Sequence, residues 1–307
     1  MDRTVKVYRH RIEAYTGRWG FIGWGRRPLG RVAYITAKLL GRPFICLEDG
    51  FIRSVQLSNS IDVPSSIVVD RTGIYYDATK SSDLESMLQK GNFSSDIELM
   101  DKARLAMQRI RELHISKYNH APDISKNLLT ADAKTKILVI AQTAGDMSLR
   151  YGMAEQYSTS DMINAALREN EGAQIYIKIH PDVLAGKKKS DIRMTDIPDE
   201  CRIIETDVNP ISLLESIDKV YTKTSLMGFE ALMLGKICVC FGMPFYAGWG
   251  VTDDRVHCER RSRKRTVEEI FAAAYLLYPL YYHPEQKRDA DIFEIIDWIA
   301  ENKVGRD

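Results

Sequence analysis

Three short segments of this chain carry side chains suited to moving a charged group, and each follows an apolar run. Gln142-Thr143-Ala144-Gly145-Asp146 follows Lys136 to Ala141, His180-Pro181 follows Gln174 to Ile179, and Lys223-Thr224-Ser225 follows Lys219 to Thr222. If the runs are parallel strands, their ends aim a carboxylate, an imidazole and two hydroxyls into one crevice, because parallel α/β sheets bind ligands beyond the carboxyl ends of their strands. Thr224-Ser225 opens a predicted helix over Thr224 to Leu234, with Gly235 as its stop. A capping hydroxyl, the free N–H groups of a first turn and the positive dipole end together suit a phosphate, although the same pair could be a plain cap.

Further along that helix, Gly228 keeps the first turns slim. Glu230 is set among apolar Phe229, Ala231 and Leu232, an unusual place for a solvated carboxylate. His180, with Pro181 fixing its exit, suits a phosphate donor or a proton carrier. Lys178 points opposite to its strand neighbours and is a weaker phosphate partner. Asp146, after Gly145 in a sharply turning loop, has three readings: a nucleophile, a cap for Met147–Arg150, or a turn residue.

Glu48-Asp49-Gly50 ends a short strand over Pro43 to Leu47 and should face the same cleft from the other side. Paired carboxylates can divide general-base and orienting roles, or simply sit solvated at a glycine turn. Pro244-Phe245-Tyr246-Ala247-Gly248-Trp249-Gly250 follows the strand Ile237 to Phe241. Its glycines allow close backbone approach, and its flat rings could cover a base or a sugar. Arg260-Arg261-Ser262-Arg263-Lys264-Arg265 reads either as a solvated run or as a contact for an anionic lipid surface or acidic glycan. No HExxH, no convincing DxD and no Cys/His cluster is present, so neither metal nor cofactor is expected.

The elements that must position these groups alternate. Strands are predicted at Phe21–Gly25, Pro43–Leu47, Ile67–Val69 and Gly73–Asp77, and helices at Leu29–Leu40, Ser82–Lys90 and Asp96–His114. A polar stretch near Asp123–Lys136 marks a boundary. Beyond it come the helix Ser158–Glu169, the strand Cys201–Glu205, the helix Ile211–Ile217 and a terminal packing helix on Ile292, Ile295, Ile296 and Ile299. Such alternation indicates parallel sheets wound by crossovers. The prediction is two Rossmann-like domains with a cleft between them. Residues 1–130 form the first domain, and residues 131–307 the second, with the terminal helices.

Composition narrows the function classes. A chain of 307 residues exceeds one comfortable core, which supports two domains. Net charge of +1 argues against a nucleic-acid partner, which would leave a basic excess. The start has no apolar signal core, and no run is long enough to span a bilayer. The five cysteines are odd in number and lack CxxC spacing, so reduced thiols in a cytoplasmic protein are expected.

Taken together, these blocks resemble the KpsC-type capsule β-Kdo transferases. The resemblance runs from Gly23-Trp24-Gly25-Arg26-Arg27-Pro28 through Leu47-Glu48-Asp49-Gly50-Phe51-Ile52-Arg53-Ser54, Gly73 to Ala78 and Ser116-Lys117-Tyr118-Asn119. It continues through Gln142-Thr143 with Asp146-Met147-Ser148, Lys178 to Lys187, Thr224-Ser225 with Gly228 to Leu232, and the aromatic loop. The resemblance implies a GT-B fold, CMP-Kdo as donor, no metal, and retention through a covalent sugar adduct on a carboxylate. Asp146 matches that carboxylate, and His180 with Thr224-Ser225 matches the CMP phosphate site. Glu48 and Asp49 match the acceptor side, where Arg53, Tyr246 and Trp249 are further candidates. The implied partners are a CMP-sugar donor, a glycan or glycolipid acceptor and, through the basic run, an anionic membrane or capsule assembly proteins. Typical members carry two such modules where this chain has one, so an excised module and a single-module enzyme both fit. Sialyl transfer and a non-catalytic nucleotide-sugar-binding subunit are the competing functions.

Overall fold

The computed structural model describes residues 20–57, 63–125, 128–129, 135–179, 183 and 189–303. In chain order the first half supplies β1 (Phe21–Trp24), α1 (Pro28–Leu39), β2 (Phe44–Asp49), β3 (Ser66–Asp70), α2 (Asp83–Lys90) and α3 (Ile97–Glu112). The second half supplies β4 (Lys136–Ile140), α4 (Met147–Tyr151), α5 (Thr159–Glu169), β5 (Gln174–Lys178), β6 (Arg202–Ile204), α6 (Pro210–Glu215), β7 (Lys219–Thr222), α7 (Leu226–Met233), β8 (Ile237–Cys240) and β9 (Asp253–Asp254). Then follow α8 (Val267–Phe271), which runs into a wider turn at Ala272–Leu277, β10 (Pro279–His283), β11 (Arg288–Ala290) and α9 (Ile292–Asn302).

The second sheet has the order β6-β5-β4-β7-β8-β9, all parallel. Counted from β4 this is 3-2-1-4-5-6, the order of a dinucleotide-binding Rossmann sheet, and the order reverses between β4 and β7. Both faces are covered, so its strands read as nearly continuous apolar runs. Ile137 and Val139 face one side with Met162 and Ile163 of α5. Leu138 and Ile140 face the other side with Phe229 of α7. All five cysteines are buried free thiols, and burial pushes Cys201 up to about 11.

The first sheet differs from a pure crossover sheet. Only β1–β2 is parallel. β3 runs antiparallel to β2, and β10 pairs antiparallel with β3. Here the expected boundary needs correction: β10 and β11, from the far end of the chain, complete the first sheet. The predicted strand at Gly73–Asp77 is also corrected. This segment is a chain of turns, because the Asp70 carboxylate accepts from the N–H of Thr72 at 2.9 Å and of Gly73 at 2.6 Å and bends the backbone out of the sheet. The two Rossmann-like halves face each other across a cleft, as the GT-B expectation requires.

Candidate active site

The cleft holds about 700 Å³ and is lined from both halves. On the second-half side it opens over the point where the strand order reverses. Gln142, just past β4, reaches across to Thr224, just past β7. Its side-chain oxygen accepts from the Thr224 N–H at 2.8 Å, and its amide donates to Thr224 Oγ1 at 3.0 Å. The hydroxyl of Ser148, in α4, lies 3.0 Å from the same Thr224 Oγ1. Ser225 caps α7: its side chain accepts from the Met227 N–H at 3.3 Å. The predicted hydroxyl pair and the strand-end loop are thus one hydrogen-bonded cluster at the mouth of the switch point.

Asp146 stands at the edge of this cluster, exposed to the cleft. Gly145 precedes it at φ +81°, a left-handed turn that swings Asp146 out of line with β4. The Asp146 Oδ1 accepts from the Ser148 N–H at 2.9 Å, so the residue caps α4. The capping reading is therefore correct, and the bond fixes the carboxylate while leaving it on the cleft wall.

Opposite, β2 ends in Glu48 and Asp49, both on the cleft wall. Glu48 Oε1 accepts from the Trp24 indole at 2.9 Å and from the Asp49 N–H at 3.1 Å. Gly25, at φ +52°, allows this: a Cβ there would stand 2.5 Å from Glu48 Oε2. Burial holds the Glu48 carboxyl above its ordinary value, with Lys117 opposing and Asp49 adding to the rise. Asp49 Oδ2 lies 3.0 Å from Arg53 Nε, an ion pair without the angle of a hydrogen bond, and the buried Asp49 Oδ1 has no partner among the described residues. Arg53 is therefore engaged with Asp49 and is not itself on the cleft wall. Between the two sides lies Tyr75. Its hydroxyl is raised well above the ordinary range by burial, then by Glu48, Tyr76, Asp49 and Asp146. Carboxylates from both halves thus act on one phenol.

Glu230 lies deeper. It is 2% exposed, and its Oε1 accepts from the Ser116 hydroxyl at 2.5 Å, a bond that joins α7 to the loop after α3. Burial pushes its carboxyl up to about 7. Lys178 lines the cleft with Nζ donating to Thr206 O at 3.0 Å, and burial lowers its pKa. His180 and Pro181 lie outside the described residues.

Several expectations need correction. Tyr246 and Trp249 do not reach the cleft. Both are buried, the Tyr246 hydroxyl donating to Ser225 O at 2.5 Å and the Trp249 indole to Phe245 O at 2.9 Å. Only Pro244 and Phe245 of that loop line the cleft. Gly228 is slim for this packing: a Cβ there would come 2.2 Å from the Tyr246 hydroxyl. The basic run is divided: Arg261 and Arg265 are buried, Arg260 is exposed but paired, and Arg263 and Lys264 are exposed. Arg260 and Arg261 both pair with Glu85 of α2, at 2.8 and 3.1 Å, and buried Arg265 donates to the carbonyls of Leu88 and Gly91 at 2.6 and 2.7 Å.

The sequence reading missed a histidine. His120 and Asp207 line the cleft, with His120 Nε2 2.7 Å from Asp207 Oδ2, while His120 Nδ1 is buried without a partner among the described residues. They are 87 positions apart, so no local pattern could have joined them. No group of three or more His, Cys, Asp or Glu side chains suited to a metal occurs among the described residues.

A family model described as a capsule polysaccharide biosynthesis protein matches residues 20–283. The chain belongs to this capsule polysaccharide biosynthesis family. Family members similar to it include the capsule polysaccharide modification protein LipA of Neisseria meningitidis serogroup A, 42% identical over 300 residues. Another is the lipopolysaccharide-processing protein LpsZ of Rhizobium meliloti, 39% identical over 285 residues. These matches cover 95% and 93% of this chain but 42% and 64% of the two relatives, so the chain spans only part of their length. Two solved structures from Thermosulfurimonas dismutans share the family fold. The KpsC beta Kdo 2,4 transferase has a TM-score of 0.86 at 46% identity, covering 91% of this chain and 86% of its own. The KpsC beta Kdo 2,7 transferase has a TM-score of 0.72 at 28% identity, covering 97% and 95%. A KpsC-type protein is what the sequence blocks indicated, and both comparisons agree.

Proposed function

We propose that this chain is a β-Kdo transferase module that takes Kdo from CMP-Kdo and places it, with retention, on a capsular or related cell-surface glycan. One observation carries the reading: a fixed cleft carboxylate, Asp146, stands beside a hydroxyl-rich switch point and faces Glu48 and Asp49. Thr224, Ser225 and the first turn of α7 receive the single phosphate of CMP, a role that a helix N-terminus can perform without a metal. His180, Pro181 and Lys178 belong to the same donor side by their sequence position, and Glu230 is assigned to the ribose hydroxyls.

Asp146 attacks the anomeric carbon of Kdo as the bond to CMP breaks, and the leaving phosphate carries away the electron pair. Glu48 or Asp49 then takes the proton of the acceptor hydroxyl. That oxygen attacks the same carbon and returns Asp146 to its free carboxylate. Two inversions give retention. Burial suits Glu48 to this task, because a raised pKa makes a carboxylate a stronger base. The larger similarity to the 2,4 transferase favours that linkage over the 2,7 linkage.

The test is to incubate the protein with CMP-Kdo, and separately with CMP-sialic acid, following CMP release and the intact protein mass. CMP release and a Kdo adduct from CMP-Kdo alone are expected. Turnover of CMP-sialic acid only, or binding without CMP release, would overturn the donor or the enzymatic reading respectively.

A further inference from the structure

The helix α1 has its polarity reversed. The side turned to the sheet carries small residues, with Gly30 and Ala37 buried. Gly30 is pressed against the carbonyls of Trp24 and Gly25, which leaves no room for a larger side chain. The side turned outward carries the large ones: Leu29 is 85% exposed and Leu39 80%, with Val32 and Ile35 also exposed between them and Leu40 just beyond. These recur every three or four residues and so share one face. A surface helix ordinarily puts polar residues there.

Charge follows the same division. Arg27, Arg31 and Lys38 are exposed and lie four and seven residues apart, a basic ridge beside the apolar face. From Gly25 to Leu47 the sequence has no Asp or Glu. Among the described residues nothing covers either ridge.

We propose that α1 is a docking surface for an anionic lipid bilayer, lying in the plane of the headgroups. The choice of occupant follows from charge. A second copy of this chain packed on the same face would set one acid-free basic ridge against another, with no carboxylate to compensate. A bilayer surface rich in anionic headgroups offers both an apolar layer for Val32, Ile35 and Leu39 and counter-charge for Arg31 and Lys38. Arg27 belongs both to the ridge and to the cleft wall, so a docked α1 brings the cleft mouth to the headgroup level. The surface is independent of the transferase reading. It is also separate from the segment Arg260–Arg265, in which Arg261 and Arg265 are buried and Arg260 is paired with Glu85.

Cosedimentation of the full chain with vesicles tests this. Phosphatidylcholine vesicles are compared with vesicles that also contain phosphatidylglycerol, at low and high salt. The wild-type chain should prefer the phosphatidylglycerol vesicles, with the preference shrinking in high salt. Arg31→Gln with Lys38→Gln should cut that partitioning about tenfold. Val32→Ser, Ile35→Ser and Leu39→Ser together should abolish binding to both vesicles, with Leu39→Ser alone as the milder variant. Since these side chains are exposed, melting temperatures should stay near wild type. Equal partitioning of wild type and variants would overturn the proposal. So would a wild-type dimer in sedimentation velocity that the serine variants disperse without any vesicle binding, which would assign the face to a second copy.

Discussion

Gln142 and Thr224 join the ends of the two strands at which the parallel sheet reverses its order. The amide of Gln142 both accepts from the Thr224 N–H and donates to its hydroxyl, at 2.8 and 3.0 Å. One side chain thereby ties the loop that carries Asp146 to the loop that starts α7. Gln142→Ala should leave the Thr224 N–H unpaired and cost roughly 1–3 kcal/mol of stability. CMP affinity should fall as well, because the first turn of α7 loses its anchor. Chemical denaturation and calorimetric titration with CMP measure the two effects, and unchanged CMP affinity would separate this cluster from the donor site.

Asp146 has two jobs that substitution can separate. Asn still caps a helix, so Asp146→Asn should fold with wild-type stability yet lose nearly all Kdo transfer and form no adduct. Asp146→Ala should additionally lose about 0.5–2 kcal/mol through the missing cap. Near-normal turnover by either variant moves the nucleophile to Glu48 or Asp49.

Glu230 should give the fold a pH signature. An unfolded Glu releases its proton near 4.3, whereas burial holds this one up to about 7. Across that interval the folded state binds the extra proton, so stability falls as pH rises through it and levels off above. The full loss is on the order of 3 kcal/mol. Glu230→Gln keeps an acceptor for the Ser116 hydroxyl and removes the titration. Its melting temperature should therefore exceed that of wild type at pH 8 and lie close to it at pH 5. Parallel pH profiles would disprove the shift.

Glu85 is the counter-charge of the basic run. It is buried between Arg260 and Arg261, and Arg261 also donates to the carbonyls of Pro244 and Ala247. Glu85→Ala leaves a buried guanidinium uncompensated and should cost about 3–5 kcal/mol. The aromatic loop should loosen with it, visible as altered tryptophan fluorescence from Trp249. A loss below about 1 kcal/mol, the worth of an exposed pair, would show that the run is solvated after all.

What the sequence disclosed was whatever is local. The strands β4, β5 and β7 are short apolar runs that end in polar residues, and Ser225 and Gly235 bracket α7 with a cap and a stop. Those signals lie within a few residues of each other. Tyr246 and Trp249 were misread because a glycine-spaced aromatic loop looks the same whether its rings face a ligand or the interior. What decides is the Ser225 carbonyl waiting for the Tyr246 hydroxyl, 21 residues away. The pair His120–Asp207 and the bond from Ser116 to Glu230 join opposite halves of the molecule, and no spacing announces them. Arg260 and Arg261 read as members of one charged run because their shared partner, Glu85, lies in α2, far away along the chain.

The return of β10 and β11 to the first sheet means that the chain passes between the halves twice. A single tether would let one half swing or twist about it in any direction. Two tethers, one after α3 and one after β9, restrict that freedom, and the contact of Phe51 with Phe245 packs the halves together as well. They also make the first half discontinuous in sequence. A fragment ending near residue 130 would leave β3 with a bare edge where β10 should lie, so the first half should not fold when expressed alone. Supplying residues 279–303 in trans should restore it.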